Sequence, residues 1–176
     1  MENTPILFDE SEFDLMHNRL LKPKLVSIAY AFDPTRFVRH QDDRLRIHGR
    51  FTTEVWRKDS TFIIEPHPQN PDGIVFRSVW DHNQRIRHMS HTLHMTSKLK
   101  NPTSFEDDSL FFIDNSVFDD WPKKFTILAG KMPNDNREFR WRFGRDHQPK
   151  NPNVMDVSVT SDLDKIGFRF IAPHHK

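Results

Sequence analysis

The chain has 176 residues, enough for one domain with a sizeable core and no covalent staples. Its 26 basic and 25 acidic residues leave a formal net charge of +1, which gives no global pull towards nucleic acid or a membrane surface. The chain contains no cysteine, so disulfides and thiolate metal sites are excluded. No apolar run approaches the ~20 residues that cross a bilayer. The acidic start, Met1 to Leu15, lacks the basic and apolar regions of a secretory signal. These features predict a cytoplasmic protein, or one exported without a signal peptide, with no transmembrane segment. Sixteen Phe and four Trp supply bulky core residues of the kind favoured in strands.

In chain order, residues 1–24 read as an N-terminal extension and residues 25–173 as one body. Within the extension Phe13, Met16, Leu20 and Leu21 recur at helical spacing, which would fit a short helix over Ser11–Leu21, but a packed or frayed tail is the preferred reading. Leu25–Phe32 reads as the first strand of the body. In Arg44–Phe51, Leu45, Ile47, Gly49 and Phe51 share one face, and Arg44, Arg46, His48 and Arg50 the other. Trp56 falls in a charged stretch read as an exposed loop. Ser60–Glu65 is a strand closed by Pro66, Pro68, Pro71 and Gly73, with His67 exposed in the turn. Gly73–Trp80 places Ile74, Phe76 and Trp80 towards the core and Val75, Arg77 and Val79 away. Arg85–Met89 follows the turn Asp81–Gln84.

Leu93, Met95 and Leu99 fit a continued strand beyond Thr92. Ser109–Asp114 and Lys124–Ala129 are short strands, the latter closed by a turn at Gly130–Asn136. Glu138–Phe143 alternates, with Phe139, Trp141 and Phe143 inward and Arg140 and Arg142 outward. Gly144–Asn153 reads as a polar loop, and Val154–Thr160 and Lys165–Ile171 as the last strands. No internal repeat stands out. About ten short strands without a long helical pattern predict an all-β fold, an antiparallel β-sandwich.

The order of several pieces resembles the galectin carbohydrate-recognition domain. Leu45-Arg-Ile47-His-Gly49, Phe62-Ile-Ile64-Glu, Gly73-Ile-Val-Phe76-Arg77 and Ile86-Arg-His-Met89-Ser90 follow the family's strand order. Downstream, Trp121-Pro-Lys-Lys-Phe125-Thr-Ile127 resembles its P-F-x-x-G entry, Met155-Asp-Val157-Ser-Val159 its segment near the C-terminus, and Ile166-Gly-Phe168-Arg-Phe170 its closing strand. The resemblance implies a jelly-roll sandwich that binds β-galactoside-containing glycans or glycoproteins without a metal. It also implies that Arg77 stands where the family has a sugar-contacting His, and Met89 where it has an Asn. Arg77, Asp81, Arg85, Arg87 and Met89 then share the ligand face. Three guanidinium forks there suit anionic groups, which points to sulfated or sialylated glycans over plain lactose.

Other constellations read more plainly. His88, His91 and His94 on strands alternate in direction, so no metal site is expected there. His174 and His175 read as a solvated tail. No phosphate-cradling or nucleophile motif is present, and the carboxylates are scattered, so no enzymatic activity and no cofactor is expected. The aromatics interleaved with Arg140 and Arg142 read as an amphipathic strand, with no nucleic-acid partner. A protein-interaction or structural module, for example a viral structural protein, is the alternative to a lectin.

Overall fold

The computed structural model describes residues 4–132, 135–143, 154–160 and 162–176. Two minimal strands come first, β1 (Phe13–Asp14) and β2 (Arg19–Leu20). The body follows as three sets of four strands. The first is β3 (Lys24–Tyr30), β4 (Asp33–Gln41), β5 (Arg44–Gly49) and β6 (Phe62–Pro66). The second is β7 (Ile74–Ser78), β8 (Gln84–Met89), β9 (Thr92–Ser97) and β10 (Phe111–Asp114). The third is β11 (Thr126–Ala129), β12 (Arg140–Phe143), β13 (Met155–Ser158) and β14 (Phe168–Ile171). Helix α1 (Glu54–Asp59) precedes β6, and α2 (Phe105–Asp108) precedes β10.

The outer strands of each set form a closed ring. β3 pairs with β6, β6 with β7, β7 with β10, and β10 with β11. Phe125, next to β11, bridges Phe168 of β14, and β14 returns to β3. The inner strands form three hairpins, β4–β5, β8–β9 and β12–β13. These meet at Arg44↔His94, Thr92↔Asp156 and Arg46↔Val154. Traced through the hairpins, the ladders also close a circuit of ten strands, β3-β4-β5-β9-β13-β12-β11-β10-β7-β6. This corrects the predicted sandwich. A sandwich keeps sheet edges, whereas each strand of this antiparallel barrel finds partners on both sides, and closure removes the edge.

The three sets are repeats, although none was evident in the sequence. One cross-strand pair recurs at the same place in each hairpin: Val38↔Ile47, Ile86↔Met95 and Trp141↔Val157. All six residues are buried in one continuous core with Ile28, Phe62, Phe76, Phe111, Ile127 and Phe168 from the ring. The first two repeats share Arg39-His40, Leu45, Asp59-Ser60 and Phe62 with Arg87-His88, Leu93, Asp108-Ser109 and Phe111, whereas the third keeps only the arginine and the phenylalanine of this set, Arg142 and Phe168, and lengthens its hairpin loop. Such scattered identities in two repeats of three do not make a period stand out in the sequence.

Alternation succeeds where a strand has one core face. Phe139, Trp141 and Phe143 are all buried together. Elsewhere the structure differs from expectation. β7 ends at Ser78, so Trp80 leaves the sheet and is 48 % exposed. Trp56 is only 2 % exposed, because Thr53 caps α1 through its hydroxyl and turns the indole inward. Arg142 is buried against Asp156. His67 is buried, with Nε2 2.8 Å from the Glu106 carbonyl. His174 lies against the Trp56 ring at 4.7 Å instead of in a solvated tail. Residues 11–21 form turns and the β1–β2 pair, with no helix, and the loop predicted at 144–153 lies outside the described residues. No helix among the described residues is long and apolar enough to cross a membrane.

Candidate functional site

Hairpin register aligns three arginines. Arg39 faces Arg46, Arg87 faces His94, and Arg142 faces Asp156. The residue after each is His40, His88 or Phe143. In the first two repeats a short helix delivers a carboxylate at its last residue, Asp59 on α1 and Asp108 on α2. The pairing repeats: Arg39 Nη2 donates to Asp59 at 2.6 Å, and Arg87 Nη2 to Asp108 at 2.5 Å. Each is a charge-assisted bond in a site shielded from water, the kind that contributes roughly 1.5–3 kcal/mol. The third repeat lacks the site. Phe143 replaces the histidine, Arg142 turns to Asp156 at 3.0 and 2.7 Å, and Lys165 stands three before Phe168, as Asp59 does before Phe62.

The second repeat is open. Arg87 is fully buried and also donates to the carbonyls of Lys100 and Asn101 and to Ser104 Oγ. Ser104 Oγ donates in turn to the same Asp108 oxygen at 2.9 Å. The other Asp108 oxygen lies 4.0 Å from His88 Nδ1. His88 Nε2 lies 2.9 Å from the Lys131 carbonyl, so that nitrogen carries the proton and Nδ1 is left as an acceptor. Burial pushes the His88 pKa down, against the opposing pull of Asp108, and favours this neutral ring. A cavity of about 420 Å³ opens here, lined by His88, Met89, His91, Asn101, Ser104 and Asp108, with Met132 and Asp135 opposite. A second cavity of about 640 Å³ shares Ser104, Asp108, Met132 and Asp135 and continues towards Asp107 and Glu138.

The first repeat has the same parts and a different lid. Trp80 Nε1 donates to the second Asp59 oxygen at 2.8 Å. Lys58 Nζ sits 4.6 Å above the Trp80 ring. His40 Nε2 is buried with no hydrogen-bond partner among the described residues. Burial lowers the His40 pKa too, with Asp59 opposing.

The five residues singled out from sequence divide between places. Arg77, Asp81 and Arg85 line one cleft of about 460 Å³. Both arginines there have carboxylate partners: Arg77 pairs with Glu65 at 2.6 Å and Arg85 with Glu106 at 2.9 Å. Arg87 goes inward to Asp108, and Met89 lines the second-repeat cavity. His40, His88, Asp59 and Asp108 were missed. The signal that could have found them is the recurrence of Arg-His with an aspartate 20 or 21 residues after the arginine.

The profile of the alpha-L-arabinofuranosidase B (ABFB) domain matches residues 7–113, more than half of the chain. Among solved structures, an arabinofuranosidase complexed with arabinofuranosyl-alpha-1,2-xylobiose is 13 % identical with a TM-score of 0.70. It covers 98 % of this chain, which spans 33 % of that protein's length. SeviL bound to asialo-GM1 saccharide is 9 % identical with a TM-score of 0.58, over 84 % of this chain and 96 % of its own. The β-trefoil protein BEL is 10 % identical with a TM-score of 0.58, over 84 % and 91 %. At these identities the likeness is one of fold, and it agrees with the three four-stranded repeats. No curated protein sequence matches. The galectin resemblance is thereby corrected: L-x-I-x-G and its companions are strand and turn patterns that a trefoil barrel produces equally well. The chain belongs to the alpha-L-arabinofuranosidase B (ABFB) domain family.

Proposed function

We propose that this chain is a carbohydrate-binding domain without catalytic activity of its own, and that its binding site is the second-repeat cavity. The observation that carries the reading is the Asp108–His88 pair. Arg87 and Ser104 hold one carboxylate oxygen, while the other oxygen and the His88 acceptor stand 4.0 Å apart beside the open cavity. Two fixed acceptors at that spacing match neighbouring hydroxyls of a sugar ring. Asp108 already shares an oxygen with a buried guanidinium, the posture of an acceptor. Glycoside hydrolysis asks instead for a carboxyl group that donates a proton.

The lining also bears on ligand charge. The cations of the adjoining cavity are matched, Arg137 by Asp135 at 2.7 Å and Lys131 by Asp107 at 3.2 Å. Asp108 adds a carboxylate, so a neutral sugar suits this cavity better than a sulfated or sialylated one. Family membership, together with the arabinofuranosyl ligand of a protein sharing the fold, makes arabinofuranosyl-substituted oligosaccharides the first ligands to try.

The test is titration calorimetry with arabinofuranosyl-xylobiose, lactose and sulfated lactose. The neutral arabinofuranosyl ligand should bind. Asp108→Asn, checked by circular dichroism for an intact fold, should weaken it at least about tenfold, the equivalent of ~1.4 kcal/mol. Unchanged affinity in that variant moves the site elsewhere. Binding of no glycan by the wild type sinks the reading and favours a protein-interaction module.

A further inference from the structure

The first and second repeats carry the same set, an arginine-clamped aspartate and a following histidine. In the first repeat the space beside them is taken by a side chain of the protein itself. By hairpin register, Arg77↔Arg85 in one repeat corresponds to Leu128↔Arg140 in the next, so Trp80 occupies the position of Lys131. At Lys131 the main chain serves the histidine, through the carbonyl that receives His88 Nε2. At Trp80 it does not. Ser78 Oγ accepts from the Trp80 and Asp81 main-chain amides at 3.0 and 3.4 Å and fixes the turn. The indole then reaches across to Asp59, and His40 Nε2 is left without a partner.

We infer that Trp80 is a built-in plug over a second carbohydrate site in the first repeat, formed by Asp59 and His40. This rests on the reading that the second-repeat cavity binds sugar. The indole N–H stands where a ligand hydroxyl would donate to Asp59. The plug is the kind of part that moves: Trp80 is half exposed, lies beyond the end of β7, and is held by one hydrogen bond and the ammonium group of Lys58. Once it swings out, one hydroxyl can donate to Asp59 and another can meet His40. The ligand class is that of the second repeat, a neutral sugar with neighbouring hydroxyls. Arg39 keeps Asp59 in place whether the plug is in or out.

The experiment is binding stoichiometry by calorimetry with arabinofuranosyl-xylobiose, on wild type, Trp80→Ala, Asp108→Asn and the double variant. One ligand on wild type, two on Trp80→Ala and one on the double variant is the expected result. One ligand on both wild type and Trp80→Ala overturns the plug and leaves the second-repeat site standing. None on wild type and one on Trp80→Ala keeps the plug and removes the second-repeat site. None on either overturns both. Circular dichroism checks the fold, and Trp80→Phe, which lacks the N–H, takes the same measurement if the alanine variant does not fold.

Discussion

Arg87 shows how far a single residue can be read. Its place on an alternating strand put it with Arg85 and Met89 on one face; the structure sets Arg85 in one cleft, Met89 in another cavity and Arg87 against Asp108. Alternation could not tell that this face is overlaid at Arg87 by the segment from Lys100 to Asp108, which turns a surface guanidinium into an internal clamp. The histidines follow the same rule. Burial, then the charges of Arg44 and Lys100, lower the His94 pKa to about 4, and burial also lowers His40, His48 and His88. A histidine lowered in the fold binds its proton more readily when unfolded, where its pKa is about 6.5. Its contribution to stability is therefore complete above about pH 6.5 and lost as the pH falls towards about 4. The thermal midpoint should drop between pH 7 and 4, and His94→Gln should make that drop shallower. An identical pH profile in the variant would remove His94 from the account.

At the scale of elements, strands were legible and the helices were not. α1 and α2 have six and four residues, too short for a 3.6-residue pattern to register. Thr53 caps α1 through the Trp56 amide, a signal that the reading of this stretch as a loop passed over. These small helices deliver the aspartates, so overlooking them hid the candidate site. Leu110, just after α2, shows how closely this junction is packed. A Cβ on Gly130 would lie 2.5 Å from Leu110 Cγ and 3.0 Å from its carbonyl oxygen, and Gly73 meets the same side chain. Gly130→Ala should cost about 1–3 kcal/mol, as overpacking does, read from the urea midpoint. Leu110→Ala in that background should recover only part of the loss, because the carbonyl remains. A neutral Gly130→Ala would mean that the junction yields freely.

At the scale of the whole molecule, the N-terminal segment joins the body. Phe13 and Leu20 are buried in the main core, the Ile6 amide donates to the Phe170 carbonyl at 2.9 Å, and Phe8 stacks on Trp121 at 5.9 Å. Losing two large core side chains costs about 2–5 kcal/mol each, against a total of roughly 5–15 kcal/mol for a domain. Deleting residues 1–22 should therefore lower the urea midpoint steeply or prevent folding. A deletion with the full-length midpoint would make the segment an appendage.

The sequence by itself determined that the fold is all β, that cysteine chemistry is absent, and which residues of the cleanest strands face the core: Leu45 and Ile47 on β5, and Phe139, Trp141 and Phe143 around β12. Tertiary structure alone decided that the sheet closes on itself. A period of two reports that one face of a strand is buried, and it is the same whether a second sheet or the far side of a barrel covers that face. Tertiary structure also decided the site. Arg39 and Asp59, and Arg87 and Asp108, lie 20 and 21 residues apart and meet only because each hairpin folds back over the helix that follows it. Whether each pair faces an open cavity or the indole of Trp80 depends on the turn supplied by the next repeat.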